Sequence, residues 1–265
     1  MVVGHDHLGH GKTAKTPEDW GYFADGESPE ILIGDMNKLR TLSQEPDKPY
    51  FMLGHSMGSY LLRRYLSVYG GGLSGAVIMG TGANPDAVAK LGMAVCKAIA
   101  AFKGWKYRSP FMEKLFFSGD FQKFDMDGTH PENSWLTKDT EIVRFYYSEP
   151  RCTFKFTLKA YYDFLKTVYY VNRKENVEKI PKDLPILMVA GDCDPVGEFG
   201  KAVKRVYEMY KAAGINDVTL KLYENDRHEI LNETDKERVF DDIFNWCESL
   251  SLIHISEPTR LRRIS

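Results

Sequence analysis

The sequence has no run of about 18 apolar residues, the length a membrane-crossing helix requires, and so gives no sign of a spanning segment. A strong charge of either sign is also absent. Lys and Arg number 35 against 37 Asp and Glu, a formal net charge of -2. Nucleic-acid binding would call for a basic stripe, which this composition does not offer. Cysteine is scarce: Cys96, Cys152, Cys193 and Cys247 are far apart and form no CxxC pair. Structural zinc sites draw thiolates from close pairs, so no metal is expected. Free thiols fit a reducing compartment, and a cytoplasmic location is the expectation. Internal repeats and low-complexity stretches are missing too. What is present is ample apolar material, 43% of 265 residues, close to the ordinary globular share and enough for a sizeable core.

Strand and helix patterns alternate, which predicts a mostly parallel sheet with helices on both faces. Val2–Gly4 reads as the end of a strand already under way. A Gly- and His-rich turn follows over Asp6–Thr13. Pro29–Leu42 reads as a helix with Ser28 as N-cap and Pro29 at the first helical position. Tyr50–Gly54 reads as a strand, Ser59–Val68 as a helix and Leu73–Gly80 as a buried strand. The alternation then stops. Residues 83–180 hold 19 of the 34 aromatic residues, with helical patches and no convincing strand. It resumes with a strand at Pro185–Ala190, a helix at Glu198–Ala213 closed by Gly214, a strand at Val218–Tyr223 and a last helix at Thr234–Cys247. The implied division is a core in two parts, 1–82 and 181–249, with a helical cap inserted at 83–180. The stretch 250–265 resembles a translated sequencing adapter and is expected to be a non-native tail.

Gly54-His55-Ser56-Met57-Gly58 lies between a strand and a helix. A serine hydroxyl is a poor nucleophile at neutral pH and needs exposure and an adjacent base. A sharp strand-to-helix turn supplies the exposure, with glycines at -2 and +2 letting backbones approach closely. An acid and a histidine must then follow in that order. Asp192 and Asp194 compete for the acid. Asp194 stands further beyond the strand end, with Pro195 fixing the backbone after it, while Asp192 suits turn hydrogen bonds. His228 lies in the loop after the last strand, where the general base must sit. Ser56, Asp194 and His228 are therefore the expected nucleophile, orienting acid and base. His55 is expected to pack beside the nucleophile. His5, His7 and His10 fall in the first loop, His130 in the cap and His254 in the tail.

Three stretches resemble the monoacylglycerol lipase, lysophospholipase and serine aminopeptidase S33 branch of the α/β hydrolases: Asp6-His7-Leu8-Gly9-His10-Gly11-Lys12-Thr13, Gly54-His55-Ser56-Met57-Gly58-Ser59 and His228-Glu229-Ile230-Leu231-Asn232-Glu233. Gly191–Gly197 fits the same branch. The resemblance implies the α/β-hydrolase fold and an oxyanion hole using the backbone N–H of Met57. It implies a second donor from a His-Gly motif one strand before the Asp6 loop, absent from this sequence. By the family's layout the first strands are missing.

Aromatics and methionines in the cap suit an apolar acyl pocket. Most are expected to form the cap's own core, with Phe116, Phe117, Tyr161 and Tyr162 as candidates for lining the cleft. The implied activity is cofactor-independent hydrolysis of carboxylic esters of monoacylglycerol or lysophospholipid type. The partner is then a small ester or lipid, with the cap as the place for any peripheral membrane contact and no oligomeric state indicated. An S33-type aminopeptidase is the first rival. It would need a cap acid for the substrate ammonium, such as Glu113, Glu132 or Glu141. A catalytically silent ligand-binding fold is the second.

Overall fold

The computed structural model describes the backbone of residues 1–256 and the side chains through Ser251. Four strands form one parallel sheet in the order β1 (Phe51–His55), β2 (Gly75–Met79), β3 (Ile186–Gly191) and β4 (Val218–Tyr223). The register pairs His55 with Met79, Val77 with Leu187 and Gly191 with Tyr223. Because every strand runs the same way, all four carboxyl ends lie along one edge. The loops after β1, β3 and β4 therefore open on the same side, where open α/β sheets gather their sites.

The period of two along each strand decides what each face buries. Ala76, Ile78, Ile186, Met188 and Ala190 pack with α1 (Ser28–Ser43), α2 (Met57–Tyr69) and α9 (Lys201–Ala212). The alternate residues Val77, Met79, Leu187 and Val189 pack with Tyr223, Ile230 and Val239, the last on α10 (Lys236–Ser256). With both faces covered, β2 and β3 read as continuous apolar runs. Leu62, Tyr65 and Leu66 on α2 are fully buried, and each of the two leucines contributes about 1.5–3 kcal/mol. Arg63 is buried on the same helix. Its guanidinium donates to Thr81 Oγ1, Gly82 O, Val171 O and Asn172 Oδ1, which meets the cost of burying the charge.

Two local expectations change. Val2–Gly4 is not a strand: Val2 is 99% exposed and pairs with nothing among the described residues. A β-branched pair gains nothing from extended geometry without a ladder or a buried face. Ser28 is not the N-cap of α1 but its first residue, with Glu27 at the cap. Its hydroxyl turns back to Ala24 O instead. The end of α9 follows the sequence expectation. Gly214 is left-handed (φ 81), and the N–H groups of Gly214 and Ile215 bond Lys211 O and Tyr210 O in a Schellman motif.

Between β2 and β3 the chain is helical, with α3 (Asp86–Lys103), α4 (Pro110–Phe116), α5 (Thr140–Ser148), α6 (Pro150–Thr153), α7 (Leu158–Val171) and α8 (Lys174–Val177). Helices α3 and α7 share a core of Ala89, Cys96, Ala100, Leu158, Tyr161 and Leu165. Their approach is close enough that a Cβ on Gly92 would sit 2.7 Å from Leu165 Cδ1. Helix α7 also rests on α2 through Tyr60, Val168 and Val171. No helix among the described residues is long and apolar enough to cross a membrane. Of the stretch 250–265, α10 runs on to Ser256 and the remainder lies outside the described residues.

Candidate active site

Strand β1 ends at His55 and α2 begins at Met57, so the whole turn falls on Ser56. Its backbone has φ 53 and ψ -124, a conformation that costs a non-glycine residue about 1–3 kcal/mol. Neighbouring hydrogen bonds hold it there. Ser56 N–H donates to Met79 O at 3.1 Å, continuing the β1–β2 ladder. Ser56 O accepts from Ser59 N–H at 2.8 Å and from the Ser59 hydroxyl at 2.6 Å. The two motif glycines are not equivalent. A Cβ on Gly54 would lie 2.4 Å from Gly58 O, whereas one on Gly58 would meet nothing within 4 Å. Only the first glycine is required by contact, which corrects the expectation that both are. Met57 opens α2, and first-turn N–H groups have no intrahelical acceptor. That leaves Met57 N–H available to an anion at the positive end of the helix.

The loops after β3 and β4 meet beside this turn. Asp194 is 0% exposed and His228 2%. Asp194 Oδ2 lies 2.9 Å from His228 Nδ1, and its other oxygen accepts from Val196 N–H at 2.8 Å. Asp192 points elsewhere and accepts from Asn225 N–H at 2.7 Å. The loops touch closely, since a Cβ on Gly191 would lie 2.0 Å from Asp226 O. His228 Nε2 is buried and has no hydrogen-bond partner among the described residues. Asp194 and His228 are thus in contact, and Ser56 stands at the neighbouring turn without a hydrogen bond to the ring.

His55 links the two halves. Its Nε2 lies 3.0 Å from His228 O, and the two rings are 4.6 Å apart. Burial, and after it the neighbouring His228, lowers the His55 pKa to about 4. A neutral ring at neutral pH donates its Nε2 proton to that carbonyl. His55 therefore does more than pack: it tethers the backbone of the expected base.

A family described as serine aminopeptidase, S33, matches residues 1–235. The chain belongs to this family. A monoacylglycerol lipase of Mycolicibacterium smegmatis is 26% identical over 256 residues, covering 94% of this chain and 78% of that protein. Among solved structures, a highly thermostable carboxyl esterase from Bacillus coagulans, in complex with glycerol, has a TM-score of 0.81 and 31% identity. The match covers 92% of this chain and 79% of the esterase. A soluble variant of monoglyceride lipase from Saccharomyces cerevisiae shares the fold, with a TM-score of 0.70 at 21% identity over 93% and 76% of the two chains.

Against this S33 background the aromatic residues between β2 and β3 sort themselves. Tyr161 is buried in the α3–α7 core, and Tyr162 packs at a tilt against Trp105 with Lys97 over its ring. Both face the α3–α7 core, and Tyr161 also packs on Phe116 at 5.3 Å. The helix instead presents Phe164, which lines a narrow apolar crevice with Phe23, Leu32, Met57 and Leu61. Phe116 packs on Phe164 at 5.7 Å and on Phe117 at 5.7 Å. Phe117 packs on Trp135 at 6.1 Å, and Trp135 lies 5.1 Å from the His228 ring. An aromatic wall thus runs from His228 through Trp135, Phe117, Phe116 and Phe164 to the crevice beside Met57. Trp135 and Phe164 carried no sequence signal beyond the local abundance of aromatics.

The segment bearing Trp135 is fastened to the His228 loop. His228 N–H donates to Trp135 O at 3.3 Å and Glu229 N–H to Leu136 O at 2.7 Å. The Arg227 guanidinium donates to the carbonyls of Ser134, Thr137 and Glu132. Buried Glu233 accepts from Arg227 N–H at 2.8 Å and Lys138 N–H at 3.0 Å. Lys138 Nζ pairs with buried Asp226 at 2.7 Å. Burial raises the Asp226 pKa, and Lys138 opposes the rise. The three glutamates offered for an aminopeptidase reading have these surroundings. Glu113 pairs with Lys155, Glu141 with Arg144, and Glu132 lies exposed beside His130. Asp163 does line the crevice, but Lys159 holds it at 2.6 Å.

Proposed function

We propose that this chain hydrolyses carboxylic esters of monoacylglycerol or lysophospholipid type through an acyl-enzyme. Ser56 Oγ attacks the ester carbonyl carbon while its proton passes to His228 Nε2. The carbonyl oxygen takes the negative charge and receives the Met57 N–H. The tetrahedral adduct collapses, the Nε2 proton moves to the departing alcohol oxygen, and Ser56 is left acylated. Water attacks the acyl carbon next and gives a proton to His228 Nε2; the second adduct collapses, the C–Oγ bond breaks, the proton returns to Ser56 Oγ and the acid is released. Asp194 fixes the Nδ1–H tautomer and balances the imidazolium. The observation that carries this reading is the buried Asp194–His228 pair, opening on the same sheet edge as the strained turn at Ser56.

The acyl preference is supported by the aromatic wall, which offers a hydrocarbon chain a dry surface between base and oxyanion donor. The aminopeptidase alternative shares the triad, and the one acid lining the crevice beside Met57 among the described residues, Asp163, is already paired with Lys159. The test exposes the purified chain and its Ser56→Ala variant to a fluorophosphonate, with the adduct located by peptide mass spectrometry. Labelling at Ser56 that is lost in the variant is expected. Labelling elsewhere, or equal labelling of both, would overturn the assignment. Turnover of monoacylglycerol against amino-acid anilides separates the esterase from the peptidase.

The helices 83–180 form, in this reading, a cap that touches the lipid surface. Val88, Leu91, Val95, Ala98 and Phe102 recur at three- and four-residue spacing on α3, and Phe102 is 89% exposed. Lys90, Lys97, Lys103, Lys106 and Lys114 flank them. An apolar stripe with lysine borders suits an anionic interface. Co-flotation with phosphatidylglycerol vesicles, weakened by Phe102→Ser, is the expected result; equal flotation of both proteins would refute the contact.

A further inference from the structure

We propose that Trp135 is a positioning residue for the general base, its indole face stabilising the His228 imidazolium. The inference rests on the reading of His228 as that base. The two ring centroids are 5.1 Å apart, with 31° between the planes. Both side chains are buried, and the contact is fixed from the backbone, since His228 N–H donates to Trp135 O. The Arg227 guanidinium grips the carbonyls of Ser134 and Thr137 on either side of Trp135. The ring has little freedom to leave this position. His55 packs on it at 4.6 Å, and a Cβ on Gly80 would come within 3.1 Å of His228 Cε1.

An aromatic face carries negative quadrupole charge and attracts a cation more than a neutral ring. Neutral His228 gains little from the indole, and the imidazolium formed in the transition state gains more. This is a differential interaction of the kind that accelerates a reaction. The other groups that face His228 are few. Asp194 meets Nδ1 from the β3 loop, and His55 faces it from β1 as a neutral ring. In its own loop, Asp226 is paired with Lys138, Glu233 holds backbone N–H groups, and Glu229 accepts from Asn232. Among these groups Trp135 alone supplies a π face without titrating.

The experiment follows kcat/KM against pH for a soluble ester in the wild type, Trp135→Phe and Trp135→Leu. The acid limb reports the base of the free enzyme. Loss of the face disfavours the imidazolium, so the limb in Trp135→Leu moves to lower pH by about half a unit to one unit, while the plateau falls about 3- to 10-fold. Trp135→Phe keeps a face and moves less. A folded Trp135→Leu protein with a lowered plateau and an unmoved limb overturns the proposal, because loss of packing alone gives that pattern. A second readout does not need turnover or the leucine variant. Protonated imidazole quenches a neighbouring indole, so wild-type emission falls as His228 is protonated, and the transition shrinks in His228→Gln and in Trp135→Phe. Trp20, Trp105 and Trp246 emit in every variant, so the size of the transition is compared, and one undiminished in either variant refutes the contact. Turnover by Ser56→Ala would instead overturn the triad reading, and the emission titration then still decides the contact.

Discussion

Gly54→Ala and Gly58→Ala are the sharpest pair of substitutions this structure offers, because they touch one motif with opposite consequences. The Gly54 Cβ would lie 2.4 Å from Gly58 O and 2.8 Å from Gly58 C. Ordinary contact begins near 3.4 Å, so strand β1 and helix α2 must separate by about 1 Å. Both contacted atoms are backbone, so no side chain can rotate away. Overpacking of this kind costs about 1–3 kcal/mol, or roughly 2–12 °C in Tm at this chain length. The larger effect falls on Ser56, which sits between the separated residues. A 1 Å displacement of a reacting group costs about 100-fold in rate. Gly58 lies in α2 with negative φ, and its added methyl meets nothing within 4 Å. Alanine there stabilises by about 0.4–1 kcal/mol through the unfolded chain and leaves kcat within a few-fold. Thermal unfolding and hydrolysis of a 4-nitrophenyl ester measure both effects. A Gly54→Ala protein with wild-type kcat, or a Gly58→Ala protein as impaired as Gly54→Ala, would refute the steric argument.

The carboxylates of the β3 loop give a second contrast. Asp194→Asn is expected to lower kcat about 10⁴-fold with the fold intact, since an amide presents the wrong partner to Nδ1–H. Asp192→Asn keeps an acceptor for Asn225 N–H and should stay within a few-fold; a larger loss there would show that the orienting acid is misassigned. His55 supplies a pH prediction. Its folded pKa is lowered from 6.5 to about 4, so between those values the unfolded chain binds more protons than the folded one. The His55 contribution to stability is therefore complete above pH 6.5 and is lost as the pH falls to about 4, with at most about 3 kcal/mol at stake. Urea unfolding across that range should be flatter in His55→Gln than in the wild type, and parallel curves would sink the assignment.

Local chemistry was legible in the sequence where it is dictated locally. Strand β1, the glycine before the serine and the helix after it are all read from a window of a few residues. The choice of Asp194 over Asp192 rested on its place further beyond the strand end and on Pro195 after it, and His228 Nδ1 lies 2.9 Å from Asp194 Oδ2 in the structure. Helix phase around an element that is apolar on several sides was not legible. Tyr161, Tyr162 and Phe164 are near neighbours on α7, and no pattern in the sequence tells which of them faces the crevice. Val2 and Val3 looked like a strand because β propensity is counted residue by residue, while a strand exists only with a partner. Trp135 was out of reach altogether. Its place against His228 depends on Arg227, Glu233 and Lys138 drawing two distant segments together, and the sequence shows only scattered charges.

That arrangement bears on how substrate and base are coupled. The parallel sheet alone brings Ser56, Asp194 and His228 to one edge, but it covers the imidazole only through His55. Trp135, the other ring against it, belongs to the helical segment between β2 and β3, and so do Phe116, Phe117 and Phe164 of the aromatic wall. One segment thus contributes both the surface that would receive an acyl chain and the ring against the base. A substitution that reshapes the wall at Phe117 shifts Trp135 through direct contact, and with it the packing on His228. Phe117→Ala is then expected to lower kcat for a short acetyl ester that never reaches the wall, as well as for long acyl chains. A loss confined to long-chain substrates would show that Trp135 is held without Phe117, by the Arg227 clamp and by Phe121 at 5.3 Å, and that the wall and the base act independently.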